Sequence, residues 1–294
     1  MGPLKNLERI RKFLWQNSPS DWVSRCRKAN RVSNNLSEGY RDELQTFWCL
    51  STGRVGSQTL AAVGKLSSQL MSCHEPKPNL YQFGQQIYLK SEYKSCAVAE
   101  AGFFACRQKI LSRAALRNCS YLETSPQITF LAREISTVLT NSRFIHLSRH
   151  PSEVVVSGMR RGWYKDNRND EWRIAPSEEV MGECWENLSQ FEKNLWLWNE
   201  TNSWISEFLK EIDEGRSLTI KAEDIFSNHD ETFEKLFAFL GVERPSYSRL
   251  EKVLGKKLNH QKQGNFQPYD NWTARQRDLL LKYCGTTMQE MGYC

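Results

Sequence analysis

The residues with the clearest chemical reach are Arg54 and Arg149, each placed after a β-favouring stretch. Ser51-Thr52-Gly53-Arg54-Val55-Gly56-Ser57-Gln58-Thr59-Leu60 follows the apolar run Thr46 to Leu50 and opens an apolar-periodic segment through Met71, the pattern of strand, phosphate loop and helix. Gly53 and Gly56 let backbone N–H groups approach an anion closely. The helix N-terminus adds a favourable dipole, and Arg54 adds a permanent positive charge. Reading forward from Gly53, no lysine followed by Ser or Thr stands where a nucleoside triphosphate needs it, so the loop is not a Walker A motif. A second anion site belongs to the strand-to-turn at 144–151. Arg149 leaves the end of a strand, Pro151 follows, and Ser157 lies on the next helix, so that Arg149 and Ser157 can reach one phosphate. The competing structural readings are an ordinary tight turn around Arg54 and a surface pairing of Arg149 with Glu153.

Positioning these groups takes alternating strands and helices. Residues 1–45 are polar and basic, with Leu4, Leu7, Ile10, Phe13 and Leu14 at helical spacing before a Ser/Asn-rich stretch, which predicts a helical extension packed on a core domain of 46–294. Pro76 and Pro78 forbid helix after the first one. Residues 84–114 and 128–139 read as helices. Arg143 to Ser148 reads as a second strand, with a helix starting at Glu153, and 163–182 is polar and irregular. A long helix is predicted from about Gly182 to Ile212, a third strand at Ser217 to Ile220, and a helix ending at Gly241. The pattern predicts a single α/β domain, its central mostly parallel sheet flanked by helices, with ligands at the strand C-terminal ends.

Composition narrows the class. The 294 residues are 39% hydrophobic and 25% charged, which fits a globular chain and excludes disorder as the theme. The net charge of +6 is spread along the chain; it suits an anionic ligand and lacks the tracts or zinc-ligand spacing of a nucleic-acid binder. The 9 cysteines contain no CxxC pair and predict reduced thiols in a cytoplasmic protein. The charged N-terminus lacks the apolar core of a signal peptide, no apolar run is long enough to span a membrane, and Asn6 stands where myristoylation wants Ser or Thr.

The two anion sites, in this order and about ninety-five positions apart, resemble the nucleotide-binding motifs of sulfotransferases that use 3′-phosphoadenosine 5′-phosphosulfate. Arg54, Gly56 and Ser57 match the family's Gly-rich loop, which holds the 5′-phosphosulfate. Arg149, Pro151 and Ser157 match its Arg-x-Pro turn and helix Ser, which hold the 3′-phosphate. Ile220-Lys221-Ala222-Glu223-Asp224-Ile225 with Phe237 to Val242 resembles its strand, acidic pair and Phe-Leu-Gly helix end, and Asn271-Trp272 through Tyr293 its terminal helix. The resemblance covers nearly all of 46–293. It implies a P-loop-like fold and an enzyme moving a sulfuryl group from that donor to an acceptor hydroxyl on a glycan, lipid or small molecule, with no metal required. Adenosine 3′,5′-bisphosphate is the implied product.

The chemistry also needs a base. Some branches, including tyrosylprotein sulfotransferases, place a glutamate just beyond the first helix, which points to Glu75, twenty-one positions after Arg54, in a proline-braced turn at the C-terminal end of that helix or on a short strand after it. His74 is the rival, and Glu123 in Glu123-Thr124-Ser125-Pro126 is a third candidate that can equally cap the following helix. Arg54 serves the departing phosphate. Gly53, Val55, Gln58 and Thr59 complete the loop, although Gln58 replaces a common Thr, Val55 a common Ser, and His150 the frequent Asp. The family's basic closing loop is approximated by Lys256 to Gly264, which makes Lys257, Lys262 and Gly264 candidate cofactor contacts. Rival readings are a P-loop-like nucleotide kinase and a non-catalytic nucleotide- or glycan-binding domain of the same fold. Trp163, Tyr164 and Trp172 in the irregular insertion are candidates to line a sugar or lipid-headgroup cleft.

Overall fold

A computed structural model describes residues 43–89, 97–165, 170–177, 184–227, 229–255 and 264–293. Five strands form one sheet: β1 (Thr46–Leu50), β2 (Leu70–Cys73), β3 (Ser120–Glu123), β4 (Ser142–Ser148) and β5 (Ser217–Lys221). Their order is β2-β3-β1-β4-β5, and every pairing is parallel. All five residues of the central β1 are buried, as expected for a strand covered on both faces. The parallel arrangement puts every strand's C-terminal end on one edge of the sheet, and the turns that follow β1, β2, β3 and β4 meet there.

The sheet has two strands more than the sequence predicts. The apolar period expected to run to Met71 breaks earlier: the first helix, α1 (Ser57–Gly64), stops after eight residues, and Leu70–Cys73 pairs with β3. Gly64 is where α1 meets the sheet. A Cβ there would sit 2.8 Å from Ser72 Oγ and 2.9 Å from Leu122 Cδ2, so only glycine permits this approach. Ser120–Glu123 is the second unpredicted strand, slotted between β1 and β2.

The helices continue in chain order as α2 (Tyr81–Leu89), α3 (Ala97–Leu116), α4 (Ala132–Val138), α5 (Pro151–Arg160) and α6 (Gln190–Lys210). They end with α7 (Ala222–Ser227), α8 (His229–Leu240), α9 (Tyr247–Leu254) and α10 (Ala274–Glu290). The span expected as one helix at 128–139 divides into a 3-10 turn, Pro126–Leu131, and α4. The long helix begins at Gln190 rather than near Gly182. Ser189 accepts from the Glu192 N–H while the Glu192 carboxylate takes the Ser189 N–H, a capping box that fixes the start. Helix α6 packs on α5 and α10, and its Trp198, Ile205 and Phe208 enter the core that fills both faces of the sheet. Of the proposed 1–45 extension, residues 1–42 lie outside the described residues.

Candidate functional site

The turn after β1 is built from left-handed backbone. Gly53, Arg54 and Gly56 have φ of 81°, 62° and 90°. Glycine adopts this region freely, whereas a non-glycine residue there is strained by about 1–3 kcal/mol. The strain at Arg54 turns its side chain across the edge of the sheet, where Nε donates to Ser157 Oγ at 2.8 Å. A Cβ at Gly53 would make only ordinary contact with the Pro126 ring and one at Gly56 would meet open space, so their conformation and not crowding requires glycine. Gly53, Arg54, Val55, Gly56, Ser57, Gln58 and Thr59 all line one cavity of about 870 Å³.

The two predicted anion sites are therefore one. Arg149, leaving β4, lines the same cavity and points Nη1 at the Arg54 carbonyl, 3.4 Å away. Its carbonyl accepts from Trp198 Nε1 at 2.9 Å, which ties the turn to α6. The guanidinium also pairs with Glu153 at 2.8 Å, the surface contact weighed against phosphate binding. Both partners are well exposed, so this pair is weak and readily exchanged for a phosphate. His150, in the place of an Asp, caps α5 by the same means: Nδ1 accepts from the Ser152 N–H, and burial holds the imidazole below its ordinary pKa, which keeps that lone pair available. Glu223 accepts the His150 N–H at 2.8 Å and so anchors the turn to α7.

Two further arginines line this cavity, Arg161 at the C-terminal end of α5 and Arg173 from the irregular stretch that follows. Burial first, then the charges of Arg161, Arg149 and Arg173, pull Arg54 down to about 10. Four guanidinium groups thus surround one space, an arrangement that a multiply charged anion relieves. Nothing in the local spacing of Arg161 or Arg173 announced them. Arg173 is held by Asp170 at 2.7 Å and stacks over the Trp163 ring at 3.8 Å.

His74 and Glu75 line the same cavity, just beyond β2, and the Glu75 charge acts on Arg54. Glu75 has a left-handed φ of 46°, the second strained non-glycine residue in the site. Its Oε1 accepts from Tyr81 OH at 2.9 Å, and burial together with that carboxylate pushes the Tyr81 phenol up, so it stays a donor. His74 Nδ1 donates to the Thr124 carbonyl at 2.5 Å. In the neutral ring that bond places the proton on Nδ1 and makes Nε2 the acceptor, 3.9 Å from Glu75 Oε1. Glu123 has a different station. It is fully buried, accepts from Arg107 Nε at 2.7 Å and Nη2 at 2.9 Å, and takes the Tyr121 hydroxyl at 2.8 Å. It does not cap the following turn: Ser125 is the residue before Pro126, and Glu123 ends β3. Arg107 also donates to the Pro78 carbonyl, so the pair props up the loop that carries Glu75.

Other candidates divide. Lys257 and Lys262 lie outside the described residues. Gly264 lies away from the cavity lining, at φ 92° against the Arg160 backbone, where a Cβ would come within 2.5 Å of the carbonyl oxygen. Trp163 and Trp172 line the cavity, while Tyr164 is buried and donates to the Ile174 carbonyl, a core role. Phe226, a largely exposed ring at the end of α7, also faces the cavity and carried no signal in the sequence beyond its being aromatic.

A model of the sulfotransferase family matches residues 19–246. The chain belongs to the sulfotransferase family, and is an enzyme of that type. No match was found among the curated proteins. Among solved structures, a sulfotransferase from Alicyclobacillus acidocaldarius is similar at 11% identity, over 83% of this chain and 93% of that one, with a TM-score of 0.50. Sulfotransferase STF1 from Mycobacterium tuberculosis H37Rv is similar at 7% identity, over 86% and 81%, with a TM-score of 0.50. At such identities the likeness is one of fold: a P-loop-like α/β sulfotransferase fold around a parallel sheet. Among the described residues, no helix is long and apolar enough to cross a membrane.

Proposed function

We propose that this enzyme transfers a sulfuryl group from 3′-phosphoadenosine 5′-phosphosulfate to an acceptor hydroxyl. The observation that carries the reading is the Arg54–Ser157 hydrogen bond, which joins the two predicted phosphate sites within a ring of arginines. A nucleotide with phosphate at both ends of its ribose needs two such sites on one cavity. The residues present fit it. The left-handed turn at 53–56 admits an anion against backbone N–H groups, Arg149 offers a second anchor with Ser157 reached through its bond to Arg54, and the Phe226 ring is free to cover a base. When bound, the donor supplies the activated sulfuryl group and departs as adenosine 3′,5′-bisphosphate.

The protein's own groups then divide the work. Arg54, oriented by Ser157, faces the charge that grows on the departing phosphate. Glu75 accepts the acceptor's proton at a carboxylate oxygen, with Tyr81 holding its orientation. His74, its Nδ1 fixed on Thr124, presents Nε2 beside that carboxylate and helps to order the acceptor hydroxyl. Trp163, Trp172 and Arg173 wall the acceptor side and limit the entry of water.

Calorimetry with adenosine 3′,5′-bisphosphate and with ATP tests the donor assignment. Selective bisphosphate binding is expected. A preference for ATP would favour a kinase, and silence towards both a non-catalytic domain.

A further inference from the structure

Beyond the phosphate-binding turn, the cavity extends past Tyr81 to the 3-10 turn at Pro126–Leu131 and to α6. Two polar side chains of its lining are buried without a hydrogen-bond partner among the described residues: Gln127 through Nε2, with the residue 3% exposed, and Thr201 through Oγ1, with the residue 2% exposed. The orientation of the Gln127 amide is not arbitrary. Its Oε1 accepts the Leu80 N–H, which leaves Nε2 as the end with donors to offer. Buried polar groups in native proteins are nearly always satisfied, and two exceptions in one cavity call for a ligand that satisfies them.

We infer that the acceptor is a polyhydroxylated, sugar-like molecule, held by hydroxyls other than the one that is sulfated through Gln127 Nε2 and Thr201 Oγ1. The inference rests on the sulfotransferase reading above and adds the substrate class. A hydroxyl can accept from an amide N–H and can donate to or accept from another hydroxyl, so it matches both orphaned groups. An alkyl chain or a simple phenol leaves them unmet, at the full cost of burying unsatisfied polar atoms. The remaining walls suit the same class. Trp172, 49% exposed, stands edge-on to Tyr81 at 5.1 Å and offers ring surface for the C–H face of a sugar. Asn79 adds a polar side chain to the same lining.

The test uses the full chain with methyl glycopyranosides on one side and alkanols and phenols of similar size on the other. Binding is read by tryptophan fluorescence in the presence of adenosine 3′,5′-bisphosphate, and transfer by labelled sulfate. Glycosides should quench saturably and be sulfated in preference to the monohydroxy compounds. Thr201→Val keeps the shape and removes the orphaned hydroxyl, so it should weaken glycoside binding about three- to tenfold. It should leave bisphosphate affinity unchanged, and leave Tm unchanged or raised by about 2–4 °C. Gln127→Glu retains the oxygen for Leu80 while removing the donor, and should weaken glycosides similarly. A fall in Tm for Thr201→Val would show that the hydroxyl has a structural partner and overturn the inference. So would the absence of glycoside quenching, or equal transfer to phenols or alkanols. Failure of wild-type protein to bind the bisphosphate would instead overturn the sulfotransferase donor reading on which this rests.

Discussion

Arg54 and Ser157 lie 103 positions apart in the chain and meet through a 2.8 Å hydrogen bond across the top of the sheet. Its donor, Arg54, holds a left-handed φ of 62°, a conformation that costs a non-glycine residue and is offset by the structure around it. Arg54→Ala should lower kcat by about a hundredfold or more, the scale of losing one electrostatic donor to a developing charge. Ser157→Ala should act in the same direction and more weakly, because it frees the guanidinium without removing it. An Arg54→Ala enzyme with normal kcat and a raised KM would show that Arg54 contributes only to ground-state binding.

Arg149 is shared between the cavity and Glu153. Arg149→Ala should weaken adenosine 3′,5′-bisphosphate by about 2–4 kcal/mol, the cost of leaving a phosphate unpaired in a closed site. Glu153→Gln should do the opposite, tightening the bisphosphate about 1.5- to twofold, since an exposed i,i+4 pair competes by well under 1 kcal/mol. Adenosine 5′-phosphosulfate, lacking the 3′-phosphate, should respond little to either change. Equal losses for both nucleotides in Arg149→Ala would mark Arg149 as a purely structural residue of the turn.

The two turns that meet at the cavity were legible because each is encoded within about ten consecutive residues: glycines at 53 and 56 after a β-favouring run, and Arg-x-Pro after another. Strands β2 and β3 were not, because Leu70–Cys73 and Ser120–Glu123 are four residues each and mix Ser, Cys and Glu with apolar residues. What makes them strands is the company of β1, a long-range fact. Glu123 shows the same limit. Its position by Ser-Pro suggested a cap or a ligand contact, whereas its partner Arg107 comes from α3 and could be found only in three dimensions. Arg161 and Arg173 carry no motif, and their convergence on Arg54 depends on how the insertion folds back.

Because the Arg107–Glu123 pair is entirely buried, removing one partner strands a charge in the core. Glu123→Gln should destabilise the protein by about 3–5 kcal/mol, readable as a lower midpoint in urea. Activity per folded molecule should survive better than in a Glu75 variant. A stable Glu123→Gln protein with no transfer would assign Glu123 a part in the chemistry that its present contacts do not suggest.

Acid should weaken the fold through His146. Burial, only partly opposed by the Asn202 hydrogen bond, lowers this imidazole from 6.5 to about 4. The unfolded chain takes up the proton below about 6.5 and the folded one only near 4, so the contribution is complete above 6.5 and is lost as pH falls through that interval. The loss amounts to about 3 kcal/mol. His146→Gln keeps a donor for Asn202 and cannot titrate, so its unfolding free energy should fall less steeply between pH 6.5 and 4 than that of the wild type. Parallel slopes would mean that His146 is not the responsible group.

The base assignment is the sharpest test of the chemistry. An aliphatic hydroxyl is a poor nucleophile at neutral pH, and a carboxylate in reach accepts its proton as the new S–O bond forms. Glu75 is strained into the cavity and held there by Tyr81, which is the cost a site carries for a positioned group. Glu75→Gln retains shape and hydrogen bonding and removes basicity, so transfer should fall about 10²–10⁴-fold while bisphosphate affinity persists. Tyr81→Phe frees the carboxylate's orientation and should cost less. His74 is fixed by the Thr124 carbonyl, with Nε2 the acceptor in the neutral ring, so it is chemically able to replace Glu75 if the acceptor enters from its side. Near-normal transfer by Glu75→Gln, together with loss of transfer in a folded His74→Ala variant, would move the role to His74.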